Sequence, residues 1–252
     1  MTRRRALVPG LLAASLAVTV AASLSAPAAQ TADERPMITV ASGQNLPPLV
    51  ATSTYDAGPG FADDIRAYQS SGQFAKDRAK VVNQATGFLR NWLRDECADR
   101  STCKPAVVFD IDDTLVSWYG ALSSIDFGWN SQLDATVKEQ CLTPKIRSTA
   151  ALFNEAKRRN IDVFLITGRN EPDREVTVSC LAKLGLTGYK ELILRSADQK
   201  NLTAEAYKSS ERKGIEQRGY RIALAIGDQV SDSSGGYTDG AFVLPNPMYF
   251  SP

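Results

Sequence analysis

Histidine is absent from all 252 residues. That excludes mechanisms running through a phosphohistidine, a Ser-His-Asp triad or a His-ligated zinc. An enzyme built from this chain has to work with carboxylates, Lys, Arg, hydroxyls or a metal held by oxygen. Cysteine is scarce: Cys97, Cys103, Cys141 and Cys180 include no C-x-x-C pair, which counts against a zinc site made of four thiolates. Charge of either sign is not in excess. The 29 Lys and Arg against 28 Asp and Glu leave a net charge of +1, and no broad field directs the chain to a nucleic acid polymer or an acidic partner. No internal repeat or low-complexity tract is found.

The amino end reads as a signal peptide over 1–28. Arg3, Arg4 and Arg5 precede an uncharged, largely apolar stretch from Ala6 to Leu24, and Ala26-Pro27-Ala28 offers an A-x-A cleavage site. A retained membrane anchor is the alternative. The small residues and the cleavage-like end favour removal, hence no stable membrane association afterwards and an extracytoplasmic product. Thr2-Arg3-Arg4-Arg5 loosely matches a twin-arginine signal, but Ala6 stands where Phe is usual, so Sec and Tat export both stay open. The arginine-led leader has a bacterial look. An even number of cysteines in an exported chain points to disulfides, with three possible connectivities. Cys97 with Cys103 would staple the loop before the first strand, and Cys141 with Cys180 would tie an insertion to a core helix.

At 43% hydrophobic content the chain can bury one good core with room for a small insertion. Residues 29–60, rich in Pro, Ala, Thr, Ser and Gly, read as a flexible linker, and 61–252 as the folded domain. A helical pattern over 61–94 aligns Val81, Ala85, Phe88 and Trp92 on one face. Further on, strands at 106–109, 162–166, 191–194, 221–226 and 241–244 alternate with helices at 144–159, with Pro144 near its first position, 171–184 and 204–218. That succession predicts an α/β fold, a parallel sheet flanked by helices on both faces. An irregular segment follows the first strand, and 116–143 reads as a small cap insertion.

The most informative motif is Asp110-Ile111-Asp112-Asp113-Thr114, directly behind the apolar run Ala106 to Phe109. Three carboxylates at the carboxyl end of a buried strand lie where open α/β sheets place ligands. They repel one another unless a cation neutralises them or one stays protonated. A strand end followed by an acidic turn and helix cap would suit one Asp or two, not three. Other connections bring Thr167-Gly168-Arg169, Lys208 and Gly227-Asp228 with Asp232 toward the same sheet edge.

The order D-x-D-D-T, strand-T-G-R, Lys, G-D-x-x-x-D resembles the haloacid dehalogenase (HAD) superfamily. Within it, the chain is similar to acid phosphatases related to plant vegetative storage proteins and to bacterial class B and C enzymes. The likeness spans about 61–250 and includes Tyr68, Ser71-Gly72-Gln73, Asp77, Phe127-Gly128, Tyr207-Lys208-Ser209 and Leu244 to Tyr249. The resemblance implies a Rossmann-like sheet with N-terminal helices and a small-molecule phosphomonoester substrate. It makes Asp110 the nucleophile, giving an aspartyl-phosphate, and Asp112 the proton donor and later base. It implies Mg²⁺, held by the Asp110 carboxylate, the Asp112 carbonyl and Asp228, with Asp232 one step behind on a metal-bound water. Thr167, Gly168 and Lys208 would bind phosphoryl oxygens. Asp113 would brace the loop, and Arg169 is left open between touching substrate and pairing with an acid. Four cap aromatics, Trp118, Tyr119, Phe127 and Trp129, either stack on an aryl or nucleobase leaving group or fill the cap's own core. The same site would also suit a 5′-nucleotidase or phosphotransferase, and an inactive storage or binding relative is the alternative outside catalysis. Oligomeric state is not legible.

Overall fold

The computed structural model describes residues 55–251. The expected leader and residues 29–54 of the expected linker lie outside the described residues. The last part of that linker stretch is built in: β1 (Tyr55–Asp56) pairs antiparallel with β7 (Tyr249–Phe250). Two helices follow, α1 (Ala62–Ser70) and α2 (Gln73–Asp95), where the periodicity predicted one. The break is at Gly72, which takes the left-handed φ of 74° that a residue with a Cβ avoids. Val82, Ala85, Leu89 and Trp92 of α2 are buried, while Val81 and Phe88 pack half-buried beside them.

The core strand β2 (Pro105–Phe109) is buried at every position. After it come α3 (Tyr119–Ser123), α4 (Ser131–Gln140), α5 (Arg147–Arg158), β3 (Asp162–Asn170), α6 (Arg174–Lys183), β4 (Glu191–Arg195), α7 (Ala204–Gln217), β5 (Arg221–Gly227) and β6 (Ala241–Val243). The sheet order is β4-β3-β2-β5-β6, and every pairing in it is parallel. This confirms the α/β reading. The central strand is β2. The chain winds outward from it to β3 and β4, then crosses to β5 on the other side, so the topological switch point lies beside the end of β2, where such sheets open a crevice.

Two boundaries differ from expectation for physical reasons. Pro144 does not open α5. Residues 144–146 run extended against the strand-to-cap turn, Ser117 N–H donating to Pro144 O at 2.9 Å and Ile146 N–H to Leu115 O at 2.8 Å, and the helix waits until Arg147. The third expected helix loses its first turn to a 3₁₀ segment around Pro172. In contrast, β3 runs past 166 through Thr167-Gly168-Arg169, with a register shift before Asn170 pairs with Arg195.

The insertion forms a cap of α3 and α4. Trp118, Leu122, Phe127 and Val137 pack with Ala62 and Ile65 of α1 and with Met248, giving the cap its own apolar core. It is tied to α6 by the Cys141–Cys180 disulfide and to the start of that helix by a 3.1 Å ion pair between Lys138 and Asp173. Cys97–Cys103 is the other disulfide, so the favoured pairing is the one formed. Among the described residues, no helix is long and apolar enough to cross a membrane.

Candidate active site

The turn leaving β2 is tight: the N–H groups of Thr114, Leu115 and Val116 all donate to Ile111 O. It requires a left-handed φ of 50° at Asp113, whose carboxylate braces the bend by accepting from Trp118 N–H at 2.9 Å and from the Tyr249 hydroxyl at 3.0 Å. Burial lifts the Asp113 carboxyl to about 7, against the lowering influence of the Trp118 amide, Arg78 and Tyr249. The bracing expected for Asp113 is what its contacts provide.

Asp110 sits at the end of β2, its N–H bound to Ile226 O of β5 at 3.0 Å. Lys208, on the first half of α7, reaches it from the next layer: Nζ donates to Asp110 Oδ1 at 2.8 Å and also to Asp232 Oδ1. All three side chains are buried. Burial opposes a charged Lys208, but Asp110 and Asp232 outweigh it and hold the ammonium charged. Asp110 itself is pushed well up, first by burial and then by Asp232, Asp228 and Asp112, while Lys208 pulls it down.

Asp228, just past β5, accepts from Gln229 Nε2 at 2.6 Å, Asn246 Nδ2 at 2.7 Å and Thr114 Oγ1 at 3.2 Å. Burial, Asp232 and Asp113 still raise it to about 7. The neighbouring Gly227 is obligatory for packing: a Cβ there would fall 1.9 Å from Asp232 Oδ2. Asp232 is doubly engaged, since its Oδ2 accepts from Gln229 N–H at 2.8 Å. One turn beyond Lys208 on α7, the fully buried Arg212 clamps the same loop, donating to the carbonyls of Asp232 (2.7 Å), Gly236 (3.0 Å) and Ser234. Burial draws its pKa down to about 10.

Carboxylate oxygens of Asp110, Asp228 and Asp232 lie within 4.8 Å of one another. The donors are all hard oxygen, and burial raises the pKa values of Asp110 and Asp228, so the cluster fits a divalent cation of the magnesium or calcium kind.

Asp112 points elsewhere. Arg169 Nε and Nη2 hold its two oxygens at 2.9 and 2.6 Å, and Trp118 Nε1 donates to Oδ1 at 2.5 Å. Burial raises the Asp112 pKa, but Arg169 and Trp118 more than offset it and the carboxyl ends below its ordinary value. The question left open for Arg169 resolves toward pairing with an acid. Thr167 is buried on β3 with Oγ1 accepting from Arg169 N–H at 3.2 Å, while Gly168 is exposed. The cap aromatics divide. Trp118 and Phe127 are buried in the cap core, Tyr119 packs on Phe127 at 5.7 Å, and Trp129 is 63% exposed.

Sequence reasoning missed Thr114, Asn246, Arg212 and the Trp118–Asp112 contact. Asn246 carried a signal, standing between two prolines in a segment with no periodic reason to keep a polar residue. Thr114 stood in the acidic motif without a role of its own, whereas Arg212 and the Trp118–Asp112 contact gave no signal.

The family model of the HAD superfamily, subfamily IIIB (acid phosphatase), matches residues 53–252. Acid phosphatase 1 of Solanum lycopersicum is 33% identical over 202 residues, covering 78% of this chain and 71% of the relative. Vegetative storage protein 1 of Arabidopsis thaliana is 33% identical over 191 residues, 73% of this chain and 67% of the relative. Among solved structures, the class C acid phosphatase from Bacillus anthracis superposes with a TM-score of 0.59 at 16% identity, covering 75% of this chain and 86% of that one, which speaks to the fold.

Proposed function

The chain belongs to subfamily IIIB of the HAD superfamily, the acid phosphatases, which hydrolyse phosphate monoesters, and we propose that it does so by transient phosphorylation of Asp110. The observation that carries this reading is the buried Lys208 ammonium shared between Asp110 and Asp232, with Asp228 beside them at the end of the central strand. Lys208 restrains Asp110 and offers a cation to a phosphoryl oxygen. Thr167, toward the carboxyl end of the adjacent strand, and the Gly168 N–H would take another oxygen. Positioning and charge stabilisation of this kind are the main demands of phosphoryl transfer.

Asp110, Asp228 and the Asp112 carbonyl would hold Mg²⁺, with Asp232 behind them. When bound, the ion offsets repulsion between the nucleophile and the phosphate. Asp112 would protonate the departing alkoxide and then take a proton from the attacking water. Arg169 and Trp118 favour its ionised form, which suits the second task; the first requires a proton, whose uptake a falling pH favours. That is the physical argument for a low working pH.

Export through a cleaved leader belongs to the same proposal, supported by two disulfides in the folded domain. The bacterial look of the leader gains no support from sequence relatives of plant origin. Because vegetative storage proteins are among the relatives, a storage role is the second reading; the presence of Asp110, Asp112, Lys208 and Asp228 together favours catalysis. Release of inorganic phosphate, against transfer to an added alcohol, separates hydrolase from phosphotransferase, and a panel containing 5′-nucleotides addresses a nucleotidase. The primary test is turnover of p-nitrophenyl phosphate with Mg²⁺ and with chelator. Loss of turnover in chelator and in Asp110→Asn is expected; equal rates in Mg²⁺ and chelator would rule the metal out.

A further inference from the structure

Asn246 stands between Pro245 and Pro247, on the stretch from β6 to β7, and its side chain is buried. Its Oδ1 accepts from Met248 N–H at 2.8 Å, so the amide turns its Nδ2 toward Asp228, where it donates to Oδ2 at 2.7 Å. Gln229 is fixed in the same way. Its Oε1 accepts from Ser251 N–H at 2.9 Å, and its Nε2 donates to the same Asp228 oxygen at 2.6 Å. A buried carboxylate needs donors, but that need does not explain why both amides converge on one oxygen. A carboxylate oxygen has about two acceptor sites, so the two amides fill those of Oδ2. Among the described residues Oδ1 meets only the Thr114 hydroxyl, at 3.2 Å, and keeps a site open.

We propose that Asn246 and Gln229 are positioning residues that present Asp228 to a cation through Oδ1 only, and thereby select Mg²⁺ over Ca²⁺. Mg²⁺ demands near-octahedral coordination with short bonds and retained waters, which suits a carboxylate giving one oxygen. Ca²⁺ takes about six to eight oxygens in a looser shell and commonly uses both oxygens of a carboxylate. With Oδ2 held by two N–H groups, the second bond that Ca²⁺ would gain from Asp228 requires breaking one of those hydrogen bonds. Charge plays no part in the choice, because the two ions carry the same charge. The inference rests on the metal-assisted reading of the site and adds what decides between its ions.

The experiment compares wild type, Asn246→Leu and Gln229→Met as full chains, measuring Mg²⁺ and Ca²⁺ binding by calorimetry beside turnover of a phosphate ester. Wild type is expected to bind Mg²⁺ more tightly than Ca²⁺. Each variant frees an acceptor site on Asp228 Oδ2, and the ratio of Mg²⁺ to Ca²⁺ affinity should fall about ten-fold, the lower end of what groups behind a metal ligand contribute. The ratio separates positioning from simple loosening, which weakens the two ions alike. A ratio unchanged in either folded variant overturns the proposal, and so does wild type that binds Ca²⁺ as tightly as Mg²⁺. If one variant does not fold, the other decides by the same criterion; failure of both to fold assigns the two amides to the scaffold and overturns the proposal too. Wild type that binds neither ion overturns the reading of the site as a metal centre, a result distinct from any shift in the ratio.

Discussion

Arg169 grips Asp112 with two nitrogens, Nε at 2.9 Å and Nη2 at 2.6 Å, while its Nη1 donates to the Thr177 hydroxyl of α6 at 3.1 Å. The pair joins β3 to the loop after β2 and fixes both the direction and the charge of Asp112. Arg169→Met should lower kcat by about 10²-fold, the usual weight of one proton-transfer group. The loss should be larger for alkyl phosphates than for p-nitrophenyl phosphate, whose leaving group needs less protonation. Equal losses on both would separate Arg169 from the proton transfer.

Gly227→Ala is expected to damage stability and activity together. The new Cβ would sit 1.9 Å from Asp232 Oδ2, so either the strand end or Asp232 must move. Overpacking of this kind costs about 1–3 kcal/mol, readable by denaturant titration, and any movement of Asp232 disturbs Lys208. Retention of full turnover would show that the loop has more slack than its packing indicates.

The metal-free protein should lose stability as pH rises from about 4 to about 7. Asp113 and Asp228 have folded pKa values of about 7 against an ordinary value of 3.8, so between those limits the folded state binds more protons than the unfolded chain. Stability then falls with rising pH. Added Mg²⁺ should raise the melting temperature more at pH 7 than at pH 5. Melting curves with chelator and with Mg²⁺ across this range check both signs.

The two disulfides should differ in worth. Cys141–Cys180 closes 39 residues and Cys97–Cys103 closes 6, so loop-closure entropy assigns about 4 and about 2 kcal/mol respectively. Paired Cys→Ser variants of each, compared by denaturant titration, test the order.

Of the cap aromatics, only Trp129 and Tyr119 retain surface for a substrate. Trp129→Ala should raise KM for aryl and nucleoside phosphates and leave sugar phosphates unchanged, whereas Phe127→Ala should cost about 3–5 kcal/mol of stability. A substrate preference unmoved by Trp129→Ala and Tyr119→Ala would end the stacking idea.

The succession of parallel strands, the acidic turn and the polar residues Thr167, Lys208, Asp228 and Asp232 were legible because buried parallel strands leave continuous apolar runs, and polar residues at their ends then stand out. What stayed hidden depends on contacts distant in sequence. Pro144 reads as a helix start until the pairing of 144–146 with the turn at 115–117 claims its backbone. Trp118 reads as an aromatic for stacking until its indole N–H meets Asp112. Arg212 stands at an ordinary helix position, and only the packed fold reveals that three carbonyls clamp it.

Beyond the short ladder between Tyr55–Asp56 and Tyr249–Phe250, Ser251 N–H donates to Gln229 Oε1 at 2.9 Å, and Gln229 in turn holds Asp228. The tail therefore works as a tether on the Asp228 carboxylate. Trimming Tyr249–Ser251 would slacken the hold of Gln229, 20 residues before Tyr249 in sequence, on Asp228, and a purification handle on this molecule is better fused ahead of Tyr55 than behind Ser251.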